Sequence, residues 1–280
     1  SIIGKNLLIY DNNALWQGGG MRLDENDLEM FSNITMFGNP SDGDGDGIHI
    51  RYSDPYIINS ILWGDGEFDV HGYIDVFYSN VAGGAEGLGN IDANPLFTDP
   101  ENGDFTLQPN SPCIDAGEYD VWNLDSDGST ADMGANSGSS ILPNFTEYHF
   151  GEIGDIMSTA NFKLYNFEDD NIISIDAVSF STNHFTTSTD FPVVIPPLST
   201  GVIDINCLPD SLGQLEDSMI ITSPDPFIDG LPVALTVTGS EGNLLGGALS
   251  GVLVAAEYRV TSDILIDPGN TLFIDPGAIL

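Results

Sequence analysis

Basic residues are scarce in this chain of 280 residues. It has 5 Lys and Arg against 43 Asp and Glu, which gives a formal net charge of −38 at pH 7. A field of that sign repels the phosphate backbone of nucleic acids and anionic membrane surfaces. We therefore exclude nucleic acid as a partner. Two interpretations of the acidic excess stay open, a solvated self-repelling surface or a charge that divalent cations offset.

Cysteine and long apolar runs are equally rare. Cys113 and Cys207 lie far apart in the sequence, and we expect two separately buried thiols rather than a disulfide. Because no run of about 18 apolar residues occurs, we expect no membrane-spanning segment. No signal peptide is visible, so we expect a mature product or an excised piece. Hydrophobic residues make up 41% of the chain, enough to form a packed core.

A repeat with a period in the mid-twenties runs through the first third of the chain. The segments KNLLIYDN, SNITMFGN and NSILWGD align without gaps, with Asn6 matching Asn33 and Asn59. This period, with Gly-rich corners, is typical of one coil of a parallel β-helix, in which stacked coils form a continuous core. A leucine-rich repeat has a similar period, but its LxxLxL signature is absent.

The same alignment predicts two ladders along the stacked coils, at a spacing of about 4.8 Å. Asn6, Asn33 and Asn59 would form an inward or corner ladder in which each amide bonds to the next. The rings of Tyr10, Phe37 and Trp63 would stack in the same way.

The run GNIDANPLFTDPENGDFTLQPNSPCIDAG, residues 89–117, resembles the ending of bacterial secreted right-handed β-helix proteins of the pectate-lyase-like superfamily. YSNV before it and ADMGA after it also fit that ending. The resemblance implies that residues 1–140 are the last coils and C-terminal cap of a right-handed parallel β-helix. It also implies a secreted protein, extracellular or at the cell surface.

Residues 141–240 have a different pattern, with period-2 alternation in short runs between Pro, Asp and Ser turns. In VIDINC, Ile203, Ile205 and Cys207 share one face, which is typical of an antiparallel sandwich. The segment resembles a bacterial Ig-like domain of the HYDIN/ASH type, often called a choice-of-anchor domain. Residues 241–280 resemble the N-terminal cap and first coils of a further β-helix, with two DPG corners eight residues apart. The predicted class is therefore all-β, a β-helix followed by a sandwich and the start of a second β-helix.

Two Asp-rich loops are candidate Ca²⁺ sites, the one cofactor that we consider. Asp42, Asp44 and Asp46 match positions 1, 3 and 5 of an EF-hand-type loop, as do Asn123, Asp125 and Asp127. Position 12, which should be Glu, is Ser53 in the first loop and Gly134 in the second, so either site would be weak. The alternative is that Asp and Gly only form turns here.

Two sequons are candidate N-glycosylation sites. They are Asn33-Ile34-Thr35 and Asn144-Phe145-Thr146.

Most of the catalytic residues of enzymes in the pectate-lyase-like superfamily are missing from this sequence. Pectate lyases need an Arg or Lys base beside carboxylates, and residues 1–140 offer only Lys5, Arg22 and Arg51. The paired Asp, GHG and RIK motifs of polygalacturonases are missing. The best candidate for a catalytic site is Arg51 with His49 and the first Asp-rich loop. The simpler view is that Arg51 and His49 face solvent while Ile48 and Ile50 face the core. We predict no catalytic residue.

These observations favour a non-enzymatic structural or adhesive surface protein. The alternative is a β-helix that binds or degrades extracellular polysaccharide, with Tyr52, Tyr56, Trp63 and Tyr73 as rings for sugar stacking. A β-helix without caps exposes strand edges, so we also expect copies of the chain to stack head to tail as filament subunits. The rival expectation is a fragment of a longer surface protein.

Overall fold

The computed structural model describes residues 2–24, 29–42, 47–64, 70–154, 156–240, 242–254 and 258–280. Within these residues the regular structure is β, with one short 3₁₀ turn and no α-helix, so the predicted all-β class is confirmed. None of the described helical structure is long and apolar enough to cross a membrane. The chain divides into two units, residues 1–142 and 143–280.

The first unit begins with short strands of two to four residues. They are β1 (Ile2–Lys5), β2 (Leu8–Tyr10), β3 (Met21–Asp24), β4 (Glu29–Ser32), β5 (Thr35–Phe37), β6 (Ile48–Arg51), β7 (Tyr56–Ile58), β8 (Ile61–Trp63), β9 (Val70–His71), β10 (Asp75–Phe77) and β11 (Asn80–Val81).

These strands form three parallel sheets that the chain visits in turn. Their orders are β1-β4-β7-β10, β2-β5-β8-β11 and β3-β6-β9. In the second sheet Ile9 pairs with Met36 and Met36 with Leu62, which confirms the sequence alignment of the repeats. The next step is shorter, because Ile61 pairs with Asn80.

The core of these strands lies between the three sheets. Side chains alternate between the two faces of a strand, so every second residue points inward. The inward residues are buried and apolar: Leu23, Phe31, Ile34, Met36, Ile48, Ile50, Ile57, Leu62, Val76 and Val81.

A closing segment, residues 91–140, completes the first unit and contributes β12 (Phe97–Asp99), the 3₁₀ turn Pro100–Asn102 and β13 (Asp104–Leu107). Strands β12 and β13 pair antiparallel. Together with the outward residues of the second sheet, the segment forms a second small core of Ile61, Phe97, Phe105, Cys113 and Met133.

The predicted aromatic column lies under this segment. Tyr10, Phe37 and Trp63 are in register on β2, β5 and β8. Their ring contacts differ from the predicted stack, because Phe105 lies 5.0 Å from Tyr10 and 5.4 Å from Phe37 between ring centroids. The column is therefore a surface on which the β12–β13 hairpin packs.

The strands from residue 141 onward have three to ten residues, and the first of them begins in the last two residues of the first unit. They are β14 (Ile141–Pro143), β15 (Glu147–Ile153), β16 (Ser158–Asn166), β17 (Ile173–Ile175), β18 (Ala177–Ser179), β19 (Phe185–Thr187), β20 (Val193–Ile195), β21 (Ser199–Cys207), β22 (Gly213–Thr222), β23 (Pro232–Gly239), β24 (Asn243–Ala248), β25 (Gly251–Leu253), β26 (Tyr258–Leu265) and β27 (Leu272–Ile274).

Two four-stranded sheets, β14-β16-β21-β19 and β15-β23-β22-β18, form the larger part of the second unit. Ile203, Ile205 and Cys207 are buried, as their alternation predicts, and Val202, just before them on the opposite face, is exposed. One pair departs from the antiparallel prediction, since β15 and β23 run parallel. The two strands are far apart in the sequence, so no hairpin dictates an antiparallel sense.

The predicted third segment, residues 241–280, lies within the second unit. Its strands pair parallel, β24 with β26 and β25 with β27, around a small core of Leu253 and Tyr258. Gly269 and Gly277 have φ of 90° and 105°, so the two DPG sequences form similar corners, as predicted.

Candidate metal centre and polar corner of the first unit

The three repeat asparagines lie at one corner of the first unit, as predicted. Asn6, Asn33 and Asn59 have φ of 53°, 51° and 52°. This left-handed region is unfavourable for most side chains, but Asn tolerates it. Each backbone N–H donates to the neighbouring strand, for example from Asn33 to the carbonyl of Ile58 at 3.1 Å.

The side-chain amides of this corner bond elsewhere than predicted. Asn6 Nδ2 donates to Ser140 Oγ at 3.1 Å, and Asn59 Oδ1 accepts from the N–H of Glu118 at 2.7 Å. These contacts contradict the prediction that each side-chain amide bonds to the next one in the ladder. The closing segment runs along the corner, and the amides satisfy its backbone and side-chain groups.

The two predicted glycosylation sites differ in burial. Asn33 is fully buried, and its Oδ1 accepts from Asn123 Nδ2 at 3.1 Å. A glycan on Asn33 has no room in the folded chain, so that prediction is wrong for the native state. Asn144 is exposed, although its Oδ1 accepts from Lys163 N at 2.7 Å. Its glycosylation stays a prediction.

A lysine is buried beside this corner, although lysine is rarely buried. Lys5 is 3% exposed, and its Nζ donates to Asn123 Oδ1 at 2.5 Å. Burial lowers the pKa of Lys5 to about 8, and the charge of Asp120 opposes that shift. The predicted role of Asn123 as a Ca²⁺ ligand needs correction, because the oxygen that would bind the ion faces an ammonium group.

Three carboxylates of the closing segment form the candidate metal centre. Oxygen atoms of Asp115, Asp125 and Asp132 lie within 4.8 Å of one another. Burial raises the pKa of Asp132, and the charges of Asp125 and Asp115 raise it further. The cluster therefore contains one predicted ligand, Asp125, with two residues that were not predicted as ligands: Asp132 at position 10 of the same loop and Asp115 outside it.

Backbone donors hold the cluster in place. Asp125 Oδ1 accepts from the N–H of Gly138 at 2.6 Å, and its Oδ2 accepts from the N–H of Asp132 at 3.0 Å. Asp132 Oδ1 in turn accepts from the N–H of Asp115 at 2.8 Å. The carboxylates are thus oriented by the fold itself.

Asp127, the third predicted ligand of this loop, closes a turn of its own. Its Oδ1 accepts from the N–H of Ser129 at 3.0 Å and from the hydroxyl of Ser129 at 2.6 Å. These two bonds hold the pKa of Asp127 below its ordinary value. Asp127 lies outside the carboxylate cluster.

The residues missed by sequence reasoning are Asp115 and Asp132. Both lie in runs that carry the resemblance to β-helix endings, CIDAG and ADMGA. The EF-hand spacing concealed them, because it assigns no ligand to position 10, where Asp132 lies, and does not reach Asp115. In the other predicted loop, Asp42 donates its N–H to the carbonyl of Ala14, while Asp44 and Asp46 lie outside the described residues.

The donor set of the cluster suits a hard cation. Carboxylate oxygens are the ligands that Ca²⁺ prefers, whereas Zn²⁺ prefers nitrogen and sulfur. A bound cation would also relieve the repulsion that raises the pKa of Asp132. Three carboxylates supply fewer ligands than the six to eight that Ca²⁺ takes, so water would complete its shell.

The constellation around Arg51 lies on the outer face of the third sheet. Arg22 and Arg51 both bind Asp24, at 2.8 and 3.0 Å. His49 and His71 stack with their ring centroids 5.2 Å apart. Arg51 faces solvent as expected, but His49 is buried, so the expectation that both are exposed was wrong.

Comparisons with known proteins give only distant likenesses. No family model and no curated protein matches the chain. It is similar over 35% of its length to a protein of unknown function from Porphyromonas gingivalis, at 14% identity and a TM-score of 0.32. It is similar over 36% to WR4, an MSP family member of C. elegans (14% identity, TM-score 0.26, 99% of that chain). It is similar over 37% to an ASH/PapD-like domain of human CEP192 (11% identity, TM-score 0.29, 87% of that chain).

The likeness to the Porphyromonas protein covers 46% of that protein, less than half of its length. Likenesses this distant say nothing about what the chain binds or does.

Proposed function

We propose that the chain is a non-enzymatic structural module of an extracellular surface protein. In this proposal the first unit is the end of a right-handed parallel β-helix, residues 141–240 are an Ig-like sandwich, and residues 241–280 begin a further β-helix. Three parallel sheets visited in turn, with left-handed corners at Asn6, Asn33 and Asn59, support the β-helix. Parallel pairing in β24–β27 supports its recurrence.

One observation carries the structural role. The polar side chains of the first unit bind the closing segment, as Asn59 binds Glu118 and Lys5 binds Asn123. The segment also packs on the outward residues of the second sheet and buries Ile61 there. These groups therefore stabilise the fold, and the guanidinium groups of Arg22 and Arg51 are both engaged by Asp24.

Incubation with a panel of acidic and neutral polysaccharides tests the non-enzymatic part. We expect no new reducing ends and no unsaturated products from the purified chain. Cleavage of any substrate that is lost in Arg51→Lys would contradict the proposal and favour a lyase. Arg22→Lys is the matched control, because Arg22 binds the same carboxylate from the neighbouring strand.

We also propose that Ca²⁺ binds the cluster of Asp115, Asp125 and Asp132. A ligand that binds only the folded state raises its stability by mass action. Titration calorimetry with CaCl₂ into chelator-treated protein should show weak binding that Asp125→Asn abolishes. Equal heats in the variant, or equal binding of Mg²⁺ and Ca²⁺, would contradict a specific site.

Head-to-tail association of copies is part of the proposal. Strands β1, β2 and β3 are the edge strands of the three sheets, and Ile2, Leu8 and Tyr10 on them are exposed. On the second unit, Phe273 and Ile274 of β27 are exposed as well. An unpaired strand edge beside apolar surface favours pairing with another chain.

Light scattering and electron microscopy at increasing concentration test this association. We expect filaments from residues 1–280 and none after deletion of residues 246–280. A chain that stays monomeric at high concentration, or filaments that persist after the deletion, would exclude it.

One specific observation favours polysaccharide binding as a second candidate. Tyr52 and Tyr73 are 77% and 65% exposed near the outer face of the third sheet, and the guanidinium carbon of Arg51 lies 5.3 Å from the Tyr52 ring centroid. Exposed rings beside cations suit carboxylated sugars. Tyr56 and Trp63, the other predicted rings, are half-buried. Affinity electrophoresis in acidic glycans should show retardation that Tyr52→Ala reduces and Tyr119→Ala leaves unchanged.

A further inference from the structure

The buried pair of Lys5 and Asn123 brings an amine against a carboxamide. We propose that these two side chains react to form an intramolecular isopeptide bond between Lys5 Nζ and Asn123 Cγ. The bond would join the first strand of the unit to its closing segment. This inference concerns the covalent state of the chain and goes beyond the structural role proposed above.

The geometry places the nucleophile next to the carbon that it would attack. Lys5 Nζ lies 2.5 Å from Asn123 Oδ1. Since a C=O bond is about 1.23 Å long, Nζ lies no more than about 3.7 Å from Cγ. Reacting atoms in near-attack arrangements are about 3–3.5 Å apart. A small rotation of the Lys5 side chain therefore brings the two atoms into that range.

The site also favours the reactive form of the amine. Lys5 and Asn123 are 3% and 6% exposed, so water competes little for either group. Burial lowers the pKa of Lys5 to about 8. About one tenth of the side chain is then neutral at pH 7, far more than for an exposed lysine with its pKa near 10.4.

Two neighbours of the pair orient the amide and act on the charge of the amine. Asn123 Nδ2 donates to Asn33 Oδ1 at 3.1 Å, which fixes the orientation of the leaving nitrogen. Asp120 is the carboxylate whose charge acts on Lys5, and its Oδ1 is held by the N–H of Trp122 at 2.9 Å. The charge of Asp120 favours the protonated amine, so the neutral fraction of Lys5 reflects burial acting against that charge.

The reaction balances without an oxidant or a co-reactant. The lone pair of neutral Nζ forms a bond to Cγ, giving a tetrahedral intermediate. Within that intermediate, one proton passes from Nζ to Nδ2. The Cγ–Nδ2 bond then breaks, and ammonia leaves. One amine and one primary amide become one secondary amide and one ammonia molecule.

The bond would cross-link positions 118 residues apart in the chain. A cross-link that closes a long loop restricts the unfolded chain and so stabilises the folded one. It would also hold the closing segment on the first strand under mechanical load. Such a load is expected for a module of a surface protein.

Intact mass under denaturing conditions tests the proposal with the full chain as purified and after prolonged incubation at pH 8–9. We expect a mass lower than that of the sequence by one ammonia molecule. Digestion with a protease specific for Asp should give one branched peptide that contains both Lys5 and Asn123. A full sequence mass and only linear peptides after incubation would overturn the inference.

Two variants separate the isopeptide from other losses of ammonia. A succinimide at Asn123 loses the same mass, but it persists in Lys5→Arg, whereas the isopeptide cannot form there. Asn123→Asp would release water instead of ammonia in the same reaction. Asp120→Asn removes the charge that opposes the lowered pKa of Lys5, so it should speed bond formation, measured by mass against time, while Asp54→Asn on the surface should leave the rate unchanged. Ammonia loss that survives Lys5→Arg would overturn the proposal even if another variant does not fold.

Discussion

Asn59 binds the closing segment at two points, through its side chain to Glu118 and through its backbone to Gly134. Its Oδ1 accepts from the N–H of Glu118 at 2.7 Å, and its carbonyl oxygen accepts from the N–H of Gly134 at 2.8 Å. A Cβ on Gly117 would lie 2.5 Å from the carbonyl oxygen of Ala131 and 3.0 Å from Asn59 Oδ1. The corner formed by the repeat asparagines and the closing segment therefore pack closely against one another at Asn59.

We predict that Asn59→Ala lowers the free energy of unfolding of the first unit by about 2–5 kcal/mol. The loss combines an unpaired Glu118 N–H, about 1–3 kcal/mol, with a left-handed φ that costs Ala about 1–2 kcal/mol. Asn59→Gly tolerates that φ and should lose only the contribution of the hydrogen bond to the Glu118 N–H. Tryptophan fluorescence during urea unfolding measures this, because Trp16, Trp63 and Trp122 all lie in the first unit.

The control for this corner is Asn13→Ala, at an exposed position between β2 and β3. The midpoint of urea unfolding of this variant should stay within error of the wild-type midpoint. Equal losses in Asn59→Ala and Asn59→Gly would show that the left-handed backbone contributes nothing at this corner.

Removal of one charge from the acidic cluster should have opposite effects with and without calcium. Burial and two neighbouring carboxylates raise the pKa of Asp132, so its charge destabilises the fold when no cation is present. Asp132→Asn should then stabilise the first unit in chelator, on the order of 1 kcal/mol after solvent screening. In millimolar calcium the wild type should gain stability and the variant should gain less.

The sign of the pH dependence follows from the same raised pKa. The folded state binds a proton at Asp132 at a higher pH than the unfolded state does. In chelator, lowering the pH through the folded pKa toward the ordinary value of 3.8 should therefore add stability at this site. The difference in melting temperature between wild type and Asp132→Asn should shrink over that interval, and a constant difference would contradict the assignment.

In the second unit, Asp217 holds a loop to strand β22. Its Oδ1 accepts from the hydroxyl of Ser181 at 2.6 Å, and its Oδ2 accepts from the hydroxyl of Thr182 at 2.6 Å. Burial alone would raise the pKa of Asp217, but the bonds from Ser181 and Thr182 outweigh it and hold the pKa far below 3.8. The contact therefore stabilises the fold fully above pH 3.8, and the contribution disappears as the pH falls through the folded pKa.

Asp217→Ala should lower stability at pH 7 by about 1–3 kcal/mol, the range for lost hydrogen bonds to a charged group. Hydrogen exchange of residues 179–183 should become faster, and acid should produce the same local change in the wild type only at very low pH. Asp190→Ala, at an exposed position, is the control. Unchanged exchange in Asp217→Ala would show that the loop is held by other contacts.

Local patterns predicted most of the first unit, because they depend on residues close in sequence. The register of Ile9, Met36 and Leu62 follows from one repeat and from alternation within each strand. The burial of Lys5 could not be predicted in this way, since it depends on a residue 118 positions away.

Only part of the acidic cluster could be predicted from the sequence. Asp125 and Asp132 lie in one recognisable loop, but Asp132 is at a position without a ligand in the EF-hand spacing. Asp115 reaches the loop through contacts such as Met133 N to the Cys113 carbonyl at 2.9 Å. The parallel pairing of β15 with β23 likewise has no local signal, because the strand pattern is the same in either direction.

The last prediction concerns Phe105, which anchors the closing segment on the second sheet. Its side chain is 3% exposed and contacts the rings of Tyr10, Phe37 and Phe97, in a core separate from the one between the sheets. Phe105→Ala should cost about 3–5 kcal/mol, the usual range for a buried ring. Because the core between the sheets keeps its own apolar contacts, the loss should be concentrated in the closing segment.

Hydrogen exchange distinguishes a local loss from a global one. In Phe105→Ala the N–H of Gln108, which bonds to the Leu96 carbonyl at 2.9 Å, should lose protection. The amides of β5 and β7 should stay protected at the same denaturant concentration. Tyr119→Ala, at a site 70% exposed, should change neither set. Equal deprotection of both sets in Phe105→Ala would mean that the closing segment and the three sheets unfold as one cooperative unit, so that the segment could not act as a separately detachable cap.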